Sequence, residues 1–139
     1  MNRATLLFAA GLVWLMGCSE PAKEVVGTST DGQFELVLRA DPNWVRPDAS
    51  LPVEVQVVRL VSDATVGFGD RIEFVVNNGS VSPTSLNVSF DAASGGDRFT
   101  ARVTFRASRA TEEAQGEIHA YFRGALATLK VRIVPLDTG

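Results

Sequence analysis

From residue 33 to residue 134 the chain alternates apolar and polar positions with a period of two. Phe34, Leu36 and Leu38 alternate with Gln33, Glu35 and Arg39, and Leu51, Val53, Val55 and Val57 with Pro52, Glu54 and Gln56. Ile72, Phe74 and Val76 face one way while Arg71, Glu73 and Val75 face the other. The pattern recurs through Leu86, Val88 and Phe90, then Phe99, Ala101, Val103 and Phe105, then Ile118, Ala120 and Phe122, and finally Ala127, Leu129, Val131 and Ile133. Successive side chains of a strand point to opposite faces, so each run predicts a strand with one buried and one solvated face. Between the runs lie turn residues: Asn77-Asn78-Gly79, Gly95-Gly96 within residues 91–97, and Arg123-Gly124, of types that tolerate positive φ. Pro47 limits Trp44-Val45 to a short edge piece, and Pro135 closes the last strand. Residues 62–70, containing Gly67-Phe68-Gly69, read as a loop, and residues 107–115 leave room only for a helical turn. Seven or so short strands predict an all-β fold, a single antiparallel β-sandwich. A barrel of hairpins would need shorter and more even connections.

Ahead of residue 33 the pattern changes. Residues 19–32 are polar, broken by Pro21 and Gly27, and end in Thr28-Ser29-Thr30-Asp31-Gly32. They show no stable period and read as a flexible tether, with Val25-Val26 softening its boundary with the first strand. Before them comes Met1-Asn2-Arg3, an apolar run from Ala4 to Met16, then Gly17 and the only cysteine, Cys18. Roughly 13 apolar residues are too few for the ~20 that span a bilayer as a helix. The other structural role for such a run is a buried core helix, but its terminal position, its single flanking Arg3 and the abrupt polar switch at Ser19 weigh against that.

The tetrad Leu15-Met16-Gly17-Cys18 resembles the lipobox of bacterial lipoprotein precursors. That resemblance implies cleavage before Cys18, a diacylglycerol on its thiol and an acylated amino terminus. Two or more chains anchor stably where a single one is marginal. Ser19 stands where the inner-membrane retention signal of enteric bacteria places Asp, so the resemblance implies the outer membrane, on either its periplasmic or its surface face. The chain then divides into a signal peptide (1–17), a lipidated Cys18 with a tether (18–32), the sandwich (33–135) and a tail (136–139).

Composition narrows the chemistry. The formal charge is −3 over 139 residues, and Arg3 is the only charge before Cys18, which leaves −4 downstream. A mildly acidic chain is a poor partner for nucleic acid. With one cysteine, no disulfide forms within the mature chain, and packing and strand pairing must supply its stability.

A second resemblance covers residues 40–134. Ala40-Asp41-Pro42 precedes a valine-alternating strand, and Ile72-Glu73-Phe74-Val75-Val76-Asn77-Asn78-Gly79-Ser80-Val81 follows. Then come Phe99-Thr100-Ala101-Arg102-Val103-Thr104-Phe105, Gly116-Glu117-Ile118-His119-Ala120 and a closing strand over 127–134. This series is similar to the bacterial immunoglobulin-like domains of the invasin and intimin group. The resemblance implies an immunoglobulin-like sandwich. Those domains occur in tandem in large adhesins, whereas this chain carries one copy.

The residues that could do chemistry are few. His119 is the only histidine and sits mid-strand beside Glu117 and Tyr121, with no G-x-S-x-G elbow and no phosphate loop anywhere in the chain. Asp91 and Asp97 bracket a glycine turn and read as turn caps rather than as a calcium site. No catalytic, metal or cofactor residue is assigned. Two surfaces remain. Arg98, Arg102 and Arg106 share one face of a strand, separated by Thr100 and Thr104, and form a stripe of roughly 27 Å at 3.4 Å per residue. It suits an anionic partner, or pairing with neighbouring carboxylates such as Glu54. Tyr121, with Val75 and His119 among Arg71, Glu73, Glu117, Lys130 and Arg132, forms either a protein-contact patch or an ordinary sheet surface. Phe68 reads either as a contact tip or as a lid folded over the end of the core. The expected function is a non-enzymatic, lipid-anchored envelope protein presenting its sandwich for protein or glycan contact, in a larger envelope assembly. The alternative is a surface adhesin-like or anionic-polysaccharide-binding lipoprotein. Neither reading involves a small-molecule substrate or a cofactor.

Overall fold

The computed structural model describes residues 21–90 and 96–136. Among them are ten strands and no helix: β1 (Glu24–Thr28), β2 (Phe34–Arg39), β3 (Trp44–Val45), β4 (Ser50–Arg59), β5 (Arg71–Asn77), β6 (Gly79–Ser82), β7 (Ser85–Asn87), β8 (Arg98–Ala107), β9 (Ala114–Phe122) and β10 (Ala125–Ile133). They form two five-stranded sheets, ordered β1-β2-β4-β8-β6 and β3-β10-β9-β5-β7. Every pairing is antiparallel except that of β3 with β10. The order β2-β4-β8-β6 against β10-β9-β5 is the A-B-E-D against G-F-C arrangement of immunoglobulin sandwiches. β1 is added outside β2, β3 outside β10 and β7 outside β5.

The period-two runs supply the core. Phe34, Leu36 and Leu38 of β2, Leu51, Val53, Val55 and Val57 of β4, and Ile118, Ala120 and Phe122 of β9 are all buried, as are Ala127, Leu129, Val131 and Ile133 of β10. Phe34 lies edge-on to Phe122 at 5.5 Å and stacks on Phe90 at 5.9 Å, geometries that suit the ring quadrupole.

Four expectations are corrected. The tether is shorter than residues 18–32, because Glu24–Thr28 pairs with β2 residue for residue. The strand expected through Leu86, Val88 and Phe90 ends at Asn87. Residues 108–113 form a loop rather than a helical turn. At Asn77-Asn78-Gly79 the chain does not fold back as a hairpin: Asn78 adopts φ 55°, and β6 leaves the sheet of β5 to pair with β8 in the other sheet. Cys18 and the signal segment lie outside the described residues, as do residues 91–95 and 137–139.

The registers give the sandwich two ends. Residues 29–33, 60–70 and 123–124 connect strands at one end. At the other, buried Asn43 donates its Nδ2 to the Pro21 carbonyl at 2.7 Å, Lys23 pairs with Asp41 at 3.1 Å, and Arg46 donates to the carbonyls of Val134 and Pro135. The first and last described residues therefore lie at the same end.

β1 sits across the edge between the sheets, and Gly27 makes this possible, because a Cβ there would collide with the Leu126 carbonyl. Replacing Gly27 by alanine is expected to destabilise the domain by about 1–3 kcal/mol, the usual penalty for forced overpacking. An urea unfolding midpoint equal to that of the parent protein would contradict this docking of β1.

Candidate binding surfaces

The arginine stripe lies on the outer face of the first sheet. Along β8, Arg98, Thr100, Arg102, Thr104 and Arg106 are exposed, while Val103, Phe105 and Ala107 are buried. Arg102 lies opposite Glu54, as the pairing reading requires, and Arg39 lies opposite Glu54 on the other side. Glu24 in turn faces Arg39, so four strands carry the row Glu24, Arg39, Glu54, Arg102. Arg106 faces Ser50 and Ser80, and Arg98 faces Val58. Among the described residues neither Arg102 nor Arg106 comes within ion-pair distance of a carboxylate. The row therefore sets charge alternation without locking its last member.

Tyr121 lies on the outer face of the second sheet and so looks the other way. The registers set Tyr121 between Leu126 and Glu73, and His119 between Thr128 and Val75. Val75, Tyr121 and Leu126 are 56%, 42% and 50% exposed, an apolar centre on an otherwise polar face. Leu126 was not foreseen there, although its parity with Thr128, Lys130 and Arg132 carried the signal. Below the apolar centre the face is tied together by polar contacts. His119 Nδ1 lies 2.9 Å from Thr128 Oγ1 and its Nε2 lies 3.2 Å from Glu117 Oε1. Asn77 Nδ2 also donates to Glu117, and Glu113 takes Arg132 Nε at 2.9 Å.

A hydroxyl, an imidazole and a carboxylate are thus in contact on this face. β9 runs between β10 and β5, so its backbone N–H groups from Glu117 to Tyr121 are committed to the ladders. Of the two turn aspartates only Asp97 is described, 3.9 Å from Arg59 Nη2. Among the described residues no three His, Cys, Asp or Glu side chains are placed to hold a metal ion.

Phe68 projects fully into solvent, which settles it as a tip rather than a lid. Its loop is fixed at the base. Asp70 Oδ2 accepts the Gly67 N–H at 2.7 Å and Arg123 Nη1 at 3.0 Å. The same guanidinium donates to Asp31 at 2.8 Å and to the Thr65 carbonyl, and lies 5.1 Å over the Phe34 ring. Asp31 further accepts the Ser29 hydroxyl at 2.6 Å and the Gln33 N–H at 3.0 Å.

No protein-family model matches the chain, and no curated protein matches it.

The Ser29 hydroxyl, the Gln33 N–H and the Arg123 guanidinium together hold the Asp31 carboxyl at about 2. A carboxyl depressed below its unfolded value favours the folded state when ionised. Its contribution is therefore complete above about pH 4 and is lost as the pH falls toward 2. Replacing Asp31 by asparagine should lower the urea midpoint at pH 7 and flatten its decline between those limits. An unchanged pH profile would contradict the clamp.

Proposed function

We propose that the chain is a lipid-anchored, non-enzymatic module of the bacterial envelope whose immunoglobulin-like sandwich, of the invasin and intimin kind, is held out for protein contact. One observation carries the reading: the chain enters the sandwich through Pro21, latched by buried Asn43, at the end opposite the Phe68 loop. An anchor at Cys18 would leave two residues before that latch, a reach of roughly 10 Å from Cys18 to Pro21 at full extension. The domain would stand close to its membrane with β4, about 33 Å long at 3.3 Å per residue, carrying Phe68 outward. The ladder-bound backbone around His119 supports a binding role rather than a catalytic one, and the Val75–Tyr121–Leu126 centre supplies the kind of surface proteins use. A second reading, an adhesin-like lipoprotein that takes anionic polysaccharide, is favoured by Arg102 and Arg106, which among the described residues form no ion pair.

The anchor is tested by replacing Cys18 with serine. Metabolic labelling with palmitate should be lost, and the protein should appear as uncleaved precursor or in the soluble fraction. A Cys18→Ser protein that still fractionates as a mature membrane protein would sink the reading. Protease shaving of intact against lysed cells then assigns the domain to the surface or to the periplasm.

A further inference from the structure

β8 is ten residues long and β6, its outer neighbour, only four. The hydrogen-bond parity along β8 is fixed at both ends. Ala107 donates to the Ala49 carbonyl and accepts from Asp48, and the Asp97 carbonyl accepts from Arg59, so odd-numbered residues bond toward β4. Even-numbered residues then face β6, as the Ser108 N–H does in donating to Asn78. Ser80 serves Arg106 and Ser82 serves Thr104. The next partner in register would be Thr84, opposite Arg102, but its carbonyl accepts the Phe74 N–H in the other sheet. Among the described residues the outward N–H and C=O groups of Thr100 and Arg102 have no strand beside them.

Burial follows the same boundary. Inward-facing Val103, Phe105 and Ala107 are buried where β6 flanks them, whereas Phe99 and Ala101 remain partly exposed beyond its end. Among the described residues the sandwich is open along the edge where the ladder is open.

We infer that this stretch of β8 accepts an added strand: an extended acidic segment of a partner protein. The inference rests on the protein-contact reading and is independent of the anchor. Residues paired with Thr100 and Arg102 point to the outer face, where an acidic side chain extends the row Glu24, Arg39, Glu54, Arg102 by its next alternating charge. Residues opposite Phe99 and Ala101 point inward, where small apolar side chains close the gap between the sheets. Backbone pairing supplies affinity and the alternate side chains supply selectivity. A second copy pairing antiparallel about Thr100 would set Arg98 against Arg102, which like-charge repulsion disfavours.

The test titrates the isotopically labelled mature protein with a short peptide alternating glutamate and valine. Amide exchange should slow at Thr100 and Arg102. N-methylation of the peptide at alternate positions should weaken binding by about tenfold or more, since each lost hydrogen bond costs a severalfold factor. Arg102→Glu should weaken it further, while Tyr121→Ser leaves it unchanged. Equal binding of methylated and unmodified peptides, or polygalacturonate binding in the peptide's place, would make the stripe a plain polyanion surface and overturn the inference. Protection of these amides without peptide, rising with protein concentration, would assign the edge to a second copy and overturn it too. Peptide shifts confined to Val75, Tyr121 and Leu126 would refute the edge and leave the protein-contact role standing.

Discussion

The guanidinium of Arg123 joins three segments that are far apart in sequence. It sits in the β9–β10 turn, in the left-handed backbone region, so its side chain is directed across the end of the sandwich. There it bonds Asp31 in the β1–β2 turn and Asp70 at the base of the Phe68 loop, and it covers the Phe34 ring. An exposed ion pair alone contributes little. Here one partly buried cation satisfies two carboxylates and a carbonyl while covering Phe34, which packs against Phe90 and Phe122. Remove it and Phe34 loses its cover, and the β1–β2 turn and the base of the Phe68 loop lose the side chain that joins them. The backbone reinforces the link, since the Thr30 N–H donates to the Arg123 carbonyl at 3.0 Å.

At the sheet margins the chain treats its edges unequally. β3 and β7 are two and three residues long, too short to template another strand, and β1 is packed against β10 through Gly27. Short or covered edges are the usual protection against unwanted pairing. Beside Thr100 and Arg102, β8 has neither protection among the described residues. What it has is arginine at every fourth position, which discourages self-association while leaving the backbone reachable by an oppositely charged segment.

Most of the sandwich was legible because its inner strands obey a strict period of two. β4, β8, β9 and β10 fall where the alternation puts them, and the face shared by Val75, His119 and Tyr121 follows from parity alone. β1 was not legible. In Glu24-Val25-Val26-Gly27-Thr28 the inward positions are Val25 and Gly27, and a glycine in the buried phase erases the apolar repeat. The sheet change at Asn78 was hidden for a different reason. A residue tolerant of positive φ marks a sharp bend but does not say whether the chain returns to its own sheet or crosses to the other. The arginine clamp was illegible because Asp31 and Asp70 lie 92 and 53 positions from Arg123, and ordinary turn aspartates look the same. Of the arginine stripe, the sequence carried the spacing, while the missing neighbour beside Thr100 and Arg102 depends on where Thr84 goes.

The latch between Asn43 and Pro21 has a mechanical consequence. β1 runs from that end of the domain toward the Phe68 end, antiparallel to β2 over five residue pairs. A pull on the chain ahead of Pro21, directed along the long axis, therefore drags β1 lengthwise past β2. It loads every rung of that ladder together instead of opening the rungs one after another. Tension applied sideways would instead break the Asn43 bond first and peel β1 away from Glu24 onward. The domain should thus resist force strongly along its long axis and weakly across it.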